Sequence, residues 1–168
     1  MNSVKHFPVG CITEVYEYKD YFWVIEKSFQ VWPDEGGPTE RVALAGSLPV
    51  PCTSKDIGDV CIKALLNFNS QKPPYKPWEL TELRKLFCSW VGVKNWNSFY
   101  KNARYVWVIG DNLGKVEIIP VDNCNLFPYE TGINDSAIYV DNGFDSEGLG
   151  SGIFKAFKYA TNHPDRKK

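Results

Sequence analysis

A stretch of eleven residues occurs twice in this chain, and this repeat restricts the folds that the chain can adopt. Residues 56–66 (DIGDVCIKALL) return 92 positions later as residues 148–158 (GLGSGIFKAFK). The matching positions are Ile57/Leu149, Gly58/Gly150, Lys63/Lys155, Ala64/Ala156 and Leu65/Phe157. Ser54 and Ser146 match at the same offset, and each predicts a capping hydroxyl just ahead of a helix. The repeat therefore predicts two equivalent amphipathic helices in a duplicated scaffold, with Gly58 and Gly150 marking equivalent helix starts.

Each repeated helix follows segments with the alternation and the aromatic and β-branched content of strands. The predicted strands are residues 11–18, 21–32 and 41–45 in the first copy, and 105–109, 116–121 and 137–140 in the second. Lys19-Asp20 forms the first hairpin turn, and Gly114 supplies the positive φ that the second turn requires. Pro49 and Pro51 are expected to exclude regular structure before the first helix. We predict an α+β fold of duplicated strands-then-helix units with antiparallel sheets, an extra linking helix, and either six or eight strands.

The chain of 168 residues is predicted to form a single domain, 1–168. Its two pseudo-repeats cover about 11–68 and 103–161, and a helical linker of about 72–101 joins them. Two such units cannot easily bury their sheet faces alone. We therefore expect the copies to pack together with approximate two-fold symmetry.

Composition excludes several functional classes. The net charge of −1 disfavours a dedicated nucleic-acid binder, and no run of apolar residues is long enough to span a membrane. The first ten residues lack the apolar run of a signal peptide, which predicts a cytoplasmic protein. Five cysteines without CxxC spacing are expected to be reduced structural thiols, and no nucleophile with a histidine base is recognisable. We therefore expect no catalytic residue, no metal, no cofactor and no small-molecule substrate.

An acidic stretch is the most informative charge pattern. Residues 116–154 contain seven acids and no lysine or arginine: Glu117, Asp122, Glu130, Asp135, Asp141, Asp145 and Glu147. In one interpretation these acids lie in solvated loops whose cations come from other elements of the fold. In the other, they form an acidic face with exposed aromatics, among them Phe127, Tyr129, Tyr139 and Phe144, that docks a basic partner. Residues 141–147 alone also suit a helix cap or, more weakly, a calcium loop.

A second segment, residues 94–107, combines cations with aromatic side chains. Lys94, Lys101 and Arg104 alternate there with Trp96, Phe99, Tyr100, Tyr105 and Trp107. Such a pattern is typical of proteins that stack single-stranded nucleic acid, and it is also typical of core packing. We favour core packing, because residues 105–109 have the pattern of a buried strand.

The order of these elements resembles that of the CdiI immunity proteins of bacterial contact-dependent growth inhibition systems. The resemblance is carried by residues 56–66, 92–108 (GVKNWNSFYKNARYVWV) and 148–157 (GLGSGIFKAF). It implies a cytoplasmic protein that binds a cognate CdiA C-terminal toxin domain, typically a nuclease, and blocks its active site. It also implies a fold similar to the Whirly single-stranded DNA-binding fold. Interfaces in such proteins vary with the toxin, so the resemblance assigns no functional residue.

The acidic stretch supplies the predicted toxin-binding site. A basic nuclease site holds phosphates, so an inhibitor that presents carboxylates is complementary to it. The predicted toxin-binding residues are Tyr129, Glu130, Asp135, Asp141, Phe144, Asp145 and Glu147. The alternative function is a single-stranded nucleic-acid-binding protein that uses residues 94–107 and the sheet surface.

Overall fold

The computed structural model describes residues 6–32, 37–69, 80–123 and 131–167. Within them, seven strands form an antiparallel sheet in the order β3-β2-β1-β4-β5, with β6 and β7 both pairing with β5. The strands are β1 Cys11–Tyr18, β2 Tyr21–Trp32, β3 Gly37–Pro49, β4 Arg104–Gly110, β5 Val116–Asp122, β6 Thr131–Gly132 and β7 Ile138–Val140. The helices are α1 Ser54–Leu66, α2 Leu80–Val91, α3 Trp96–Asn102 and α4 Ser146–Phe157. The predicted α+β class, with strands followed by helices, is confirmed.

The two copies share one sheet, because their first strands pair with each other. β1 and β4 run antiparallel, with Val15 opposite Val106 and Tyr16 opposite Tyr105. Adding 92 to the residue numbers of β1 gives those of β4 to within one residue. Adding 92 to Ser54, where α1 begins, gives Ser146, where α4 begins. The geometry is that of a two-fold axis through the middle of the sheet.

Helices α1 and α4 lie on one face of this sheet and touch at their N-terminal turns. A Cβ on Gly58 would overlap the carbonyl oxygen of Ser146, and a Cβ on Gly150 would overlap that of Ser54. These two contacts are equivalent under the spacing of 92 residues. Both glycines lie one turn inside their helices, so their role is a close backbone approach that only glycine permits.

The predicted helix caps are wrong by one residue. Thr53 is the N-cap of α1: its hydroxyl accepts from the Asp56 amide at 3.1 Å, and the Asp56 carboxylate accepts from the Thr53 amide at 3.2 Å. Asp145 occupies the N-cap position of α4 without a side-chain capping bond. Ser54 and Ser146 are already helical, and the Ser146 hydroxyl donates instead to Asp59 of α1.

The aromatic residues of segment 94–107 serve the core on the opposite face of the sheet. There α2 and α3 cover a cluster that includes Tyr16, Tyr18, Ile25, Phe87, Phe99 and Tyr105. Phe99 and Tyr105 are buried, and the Tyr105 ring stacks on Tyr16 at 4.7 Å. Core packing is therefore the role of these rings, as favoured from the sequence.

Strand β3 is longer than predicted. It continues past residues 41–45 to Pro49, which pairs opposite Tyr21. A proline, which has no amide hydrogen, is tolerated there because β3 is an edge strand of the described sheet. On the outer side of an edge strand, amide hydrogens have no partner strand to bond. The predicted turns agree with the structure, since Gly114 has a φ of +83°. No helix in the described part of the chain is long and apolar enough to cross a membrane.

Candidate functional site

The loop between β7 and α4 is fixed against the β4–β5 hairpin turn. The Gly143 amide donates to the carbonyl oxygen of Gly114 at 2.7 Å. The Phe144 ring stacks on Phe7 at 4.1 Å between centroids and 15° between planes. This anchoring holds the acids that flank the loop in defined places beside the hairpin.

The structure brings three of the predicted toxin-binding acids together. Asp141, Asp145 and Glu147 are all exposed at the loop and the first turn of α4, and the side chain of Asp141 is 97 % exposed. Asp135 lies apart, on the 3-10 turn Asn134–Ser136, where it lines a separate cavity of about 380 Å³. Tyr129 and Glu130, with Phe127, lie outside the described residues.

Phe144 does not have the exposure that was expected of an aromatic anchor. Its ring is half-buried, stacks on Phe7 and packs against the core beneath α1 and α4. This correction follows from the close contact between the loop and the hairpin turn, which brings the ring over Gly114. The exposed aromatic side chain on this surface is Tyr139.

A surface pocket of about 420 Å³ lies between the β4–β5 hairpin and β7. It is lined by Ile109, Gly110, Asp111, Lys115, Val116, Glu117, Tyr139, Val140 and Asp141. Three of these residues carry carboxylates and one carries an amine, and three aliphatic side chains and the Tyr139 ring add apolar surface. The pocket therefore combines an acidic rim with apolar surface, as a basic side chain with an alkyl stem requires.

Tyr139 stands directly opposite Glu117 in the β5–β7 register. The ring is 73 % exposed, and its hydroxyl donates to Glu117 Oε1 at 2.9 Å. The hydrogen bond to the Glu117 carboxylate, together with the charge of that group, raises the pKa of Tyr139 above its ordinary value. An exposed tyrosine held in one position has the rigid, amphipathic character of an interface anchor.

Two lysines from outside the acidic stretch lie near its acids. Lys115 Nζ lies 3.7 Å from Asp141 Oδ1. Lys55 Nζ lies 2.6 Å from Oδ2 of Asp59, which is outside the stretch, and is also attracted by Glu147. Hydrogen bonding to Asp59, with further attraction from Asp56 and Glu147, raises the pKa of Lys55. The hydrogen bonds from Lys55 and Ser146 lower the pKa of Asp59. Cations from other elements therefore account for part of the pattern, as one interpretation expected.

Several acids on this surface also have structural roles. Asp56, Asp145 and Glu147 lie at the N-terminal ends of α1 and α4, where the helix dipoles favour negative charge. The Asp111 carboxylate accepts from the amides of Leu113 and Lys115 and so shapes the hairpin turn. Asp141 differs, because its ion pair with Lys115 is long and joins two exposed groups, and such a pair contributes little to stability.

We call the surface formed by Asp111, Glu117, Tyr139, Asp141, Asp145 and Glu147 the acidic surface. The toxin-binding residues predicted from the sequence include Asp141, Asp145 and Glu147. Glu117 and Tyr139 were named in the acidic stretch but not among those predicted residues, and Asp111 was not considered for the site. The signal available in the sequence was the alternation of apolar and polar residues along the second hairpin and the strand that follows it. Had the β5–β7 register been known, Tyr139 and Glu117 would have been recognised as cross-strand neighbours.

The described cysteines Cys11, Cys52, Cys61 and Cys88 are free thiols. Burial raises the pKa of each; that of Cys11 rises to about 11. Such thiols stay protonated near neutral pH, and only the thiolate is a strong nucleophile or metal ligand. No group of three or more histidine, cysteine, aspartate and glutamate residues within the described ranges is arranged to hold a metal ion.

Comparison with known proteins identifies neighbours in structure but none in sequence. No protein-family model and no curated protein matches the chain. A protein of unknown function from Neisseria meningitidis, NMB0488, superposes with a TM-score of 0.68 at 15 % identity, over 95 % of this chain and 99 % of that one. A chain of the CdiA-CT/CdiI toxin and immunity complex from Yersinia pseudotuberculosis superposes with a TM-score of 0.63 at 13 % identity, over 92 % of this chain and 99 % of that one. The chain described here therefore shares its whole fold with a component of a toxin and immunity complex.

Proposed function

We propose that this protein is a cytoplasmic immunity protein that binds the C-terminal toxin domain of a contact-dependent growth inhibition system and covers the toxin's active site. The acidic surface carries the proposal: a pocket with a carboxylate rim and an exposed, oriented tyrosine. The shared fold with a chain of a CdiA-CT/CdiI complex supports it. Binding alone suffices for this role, so the proposal requires no catalytic residue.

A nuclease toxin is the partner class that we propose for this surface. Nuclease sites are positively charged because they hold phosphates, and carboxylates such as Glu117 and Asp141 are complementary to them. Electrostatic steering of this kind accelerates association to as much as about 10⁸–10⁹ M⁻¹s⁻¹ at low salt. The Tyr139 ring and the apolar wall of the pocket would then supply contacts that slow dissociation.

Charge reversal tests the surface. In the double variant Asp141→Lys/Asp145→Lys, association with the cognate toxin domain is expected to slow by about tenfold or more, and its salt dependence to flatten. Stopped-flow fluorescence at two ionic strengths measures both effects. Circular dichroism checks that α4 is retained, since Asp145 occupies its N-cap position.

Asp20→Lys serves as the control at a distant site, with half the charge change of the double variant. Asp20 is exposed in the β1–β2 turn, whereas the hairpin turn of the acidic surface adjoins the opposite end of β1, where Cys11 pairs with Gly110. Eight strand residues separate the two ends, or about 25 Å. Equal association rates for the wild type and the double variant at low salt would show that the acidic surface is not the interface. Failure of the wild type to bind the toxin domain or to protect cells from it would refute the immunity function itself.

The structure gives little support to the alternative of single-stranded nucleic-acid binding. Base stacking needs exposed rings, and Phe99 and Tyr105 of the candidate segment are buried. Arg104, one of its three cations, pairs with Asp165 at 3.1 Å. We therefore expect no mobility shift of short oligonucleotides at micromolar protein concentration.

A further inference from the structure

A third cavity, of about 340 Å³, lies on the side of the molecule that carries α2 and α3. Arg84 of α2, Asn97, Tyr100 and Lys101 of α3, and His163 of the C-terminal turn line it. We call it the basic pocket. It is at the small end of the range of about 300–1,000 Å³ that is typical of ligand sites, so it suits a compact ligand.

The lining of the basic pocket is rich in hydrogen-bond donors and cations. Arg84 and Lys101 are cationic, Asn97 offers an amide, and none of the described lining residues carries a carboxylate. Asp165, at the same C-terminal turn, is already engaged by Arg104 at 3.1 Å and by the Asn162 amide at 2.9 Å. The described lining residues therefore give the pocket a positive charge, in a protein whose net charge is −1.

Arg84 is held in place by aromatic residues and has unused donor capacity. Its guanidinium carbon lies 6.0 Å from the centroid of the Trp96 ring, and Trp96 in turn stacks on Tyr100. Its Nε is buried and has no hydrogen-bond partner among the described residues. A buried donor without an acceptor is costly, and an anion in the pocket could supply that acceptor.

We propose that the basic pocket binds a small phosphate-bearing anion, either inorganic phosphate or the phosphate group of a nucleoside monophosphate. The planar fork of Arg84 matches phosphate oxygens, and Lys101 adds a second charge from α3. Asn97 is placed to donate a further hydrogen bond. This site lies apart from the acidic surface and does not depend on the proposed toxin binding.

Titration calorimetry at low ionic strength, in buffer free of other polyvalent anions, tests the site with inorganic phosphate and with adenosine monophosphate. We expect saturable one-to-one binding of at least one of them. In Arg84→Gln/Lys101→Gln, the affinity should fall by about tenfold or more, because both charged donors to the anion are removed. The single variant Lys101→Gln, at an exposed position of α3, should weaken binding in the same direction without disturbing the aromatic cluster around Arg84.

The matched control is Lys85→Gln/Lys94→Gln, which removes the same charge from exposed residues outside the pocket lining. Tighter binding of the nucleotide than of phosphate identifies a nucleotide site. Equal binding of the two, or binding of phosphate alone, identifies a phosphate site. Each of these outcomes supports the proposal. Two results would overturn it: no saturable binding of either anion at millimolar concentration, or equal weakening in the control variant. Asp141→Lys/Asp145→Lys should bind the anion as the wild type does, so this test fails or succeeds independently of the immunity function.

Discussion

A buried ion pair between β1 and β2 shows that the burial of a single charged residue depends on its neighbour in the next strand. Lys27 Nζ on β2 lies 3.0 Å from Glu14 Oε2 on β1, and the two side chains are 8 % and 14 % exposed. The Tyr16 hydroxyl donates to the same carboxylate oxygen at 2.8 Å. Along either strand, a lysine or a glutamate predicts a solvent-facing position. Their burial depends on the β1–β2 register, which the sequence does not reveal.

Removing one charge of this pair should destabilise the protein strongly. Glu14→Gln leaves the Lys27 ammonium buried beside a neutral amide, and we expect the free energy of unfolding in urea to fall by about 3–5 kcal/mol. Glu14→Leu/Lys27→Met removes both charges at similar volume and should remain closer to the wild type. If the double variant lost as much stability as the single one, packing rather than the lost Glu14 charge would be responsible.

At the scale of secondary structure, the repeated sequence corresponds to two equivalent helices, α1 and α4, that contact each other. Helical spacing is local, so the sequence predicted both helices and their equivalence. It did not predict that each glycine faces the first helical residue of the other helix, because that contact arises from tertiary packing. The caps were misplaced for a related reason: Ser146 donates its hydroxyl to the neighbouring helix and not to its own backbone.

Alanine substitutions should distinguish the effect of this helix contact on stability from the effect of helix propensity. Gly58→Ala and Gly150→Ala would each force the helices apart, and we expect each to lower the free energy of unfolding by about 1–3 kcal/mol, comparable to overpacking of a core. Gly148→Ala is the control, because its Cβ would meet only the movable carboxylate of Asp145, at 2.6 Å. Since alanine is the better helix former, Gly148→Ala should leave stability unchanged or raise it. A gain in stability at Gly58 would refute the close approach of the helices.

At the scale of the molecule, the two copies are equal in the centre of the sheet and differ at its edges. The first copy ends its sheet with β3, of 13 residues, whereas the equivalent part of the second copy contains the short strands β6 and β7 with a turn between them. The acidic surface lies where the copies differ, since Tyr139 is in β7 and Asp141 directly follows this strand. Sequence reasoning found the asymmetry through the acids. It misjudged Phe144 because only the packed structure reveals that its ring covers Gly114.

Neither copy should fold without the other, because their cores interlock. β1 and β4 are the central strands, and Phe22 of the first copy packs against Phe157 of α4 at 5.2 Å. We therefore expect the slowest amides of β1 and β4 to exchange with solvent deuterium only through global unfolding, with the same free energy in both strands. Native-state hydrogen exchange at low denaturant concentrations measures this, and the exposed amides of α3 should exchange through smaller openings. If β4 exchanged at a distinctly lower free energy than β1, the second copy would unfold as a separate unit, and the shared sheet would not be the source of cooperativity.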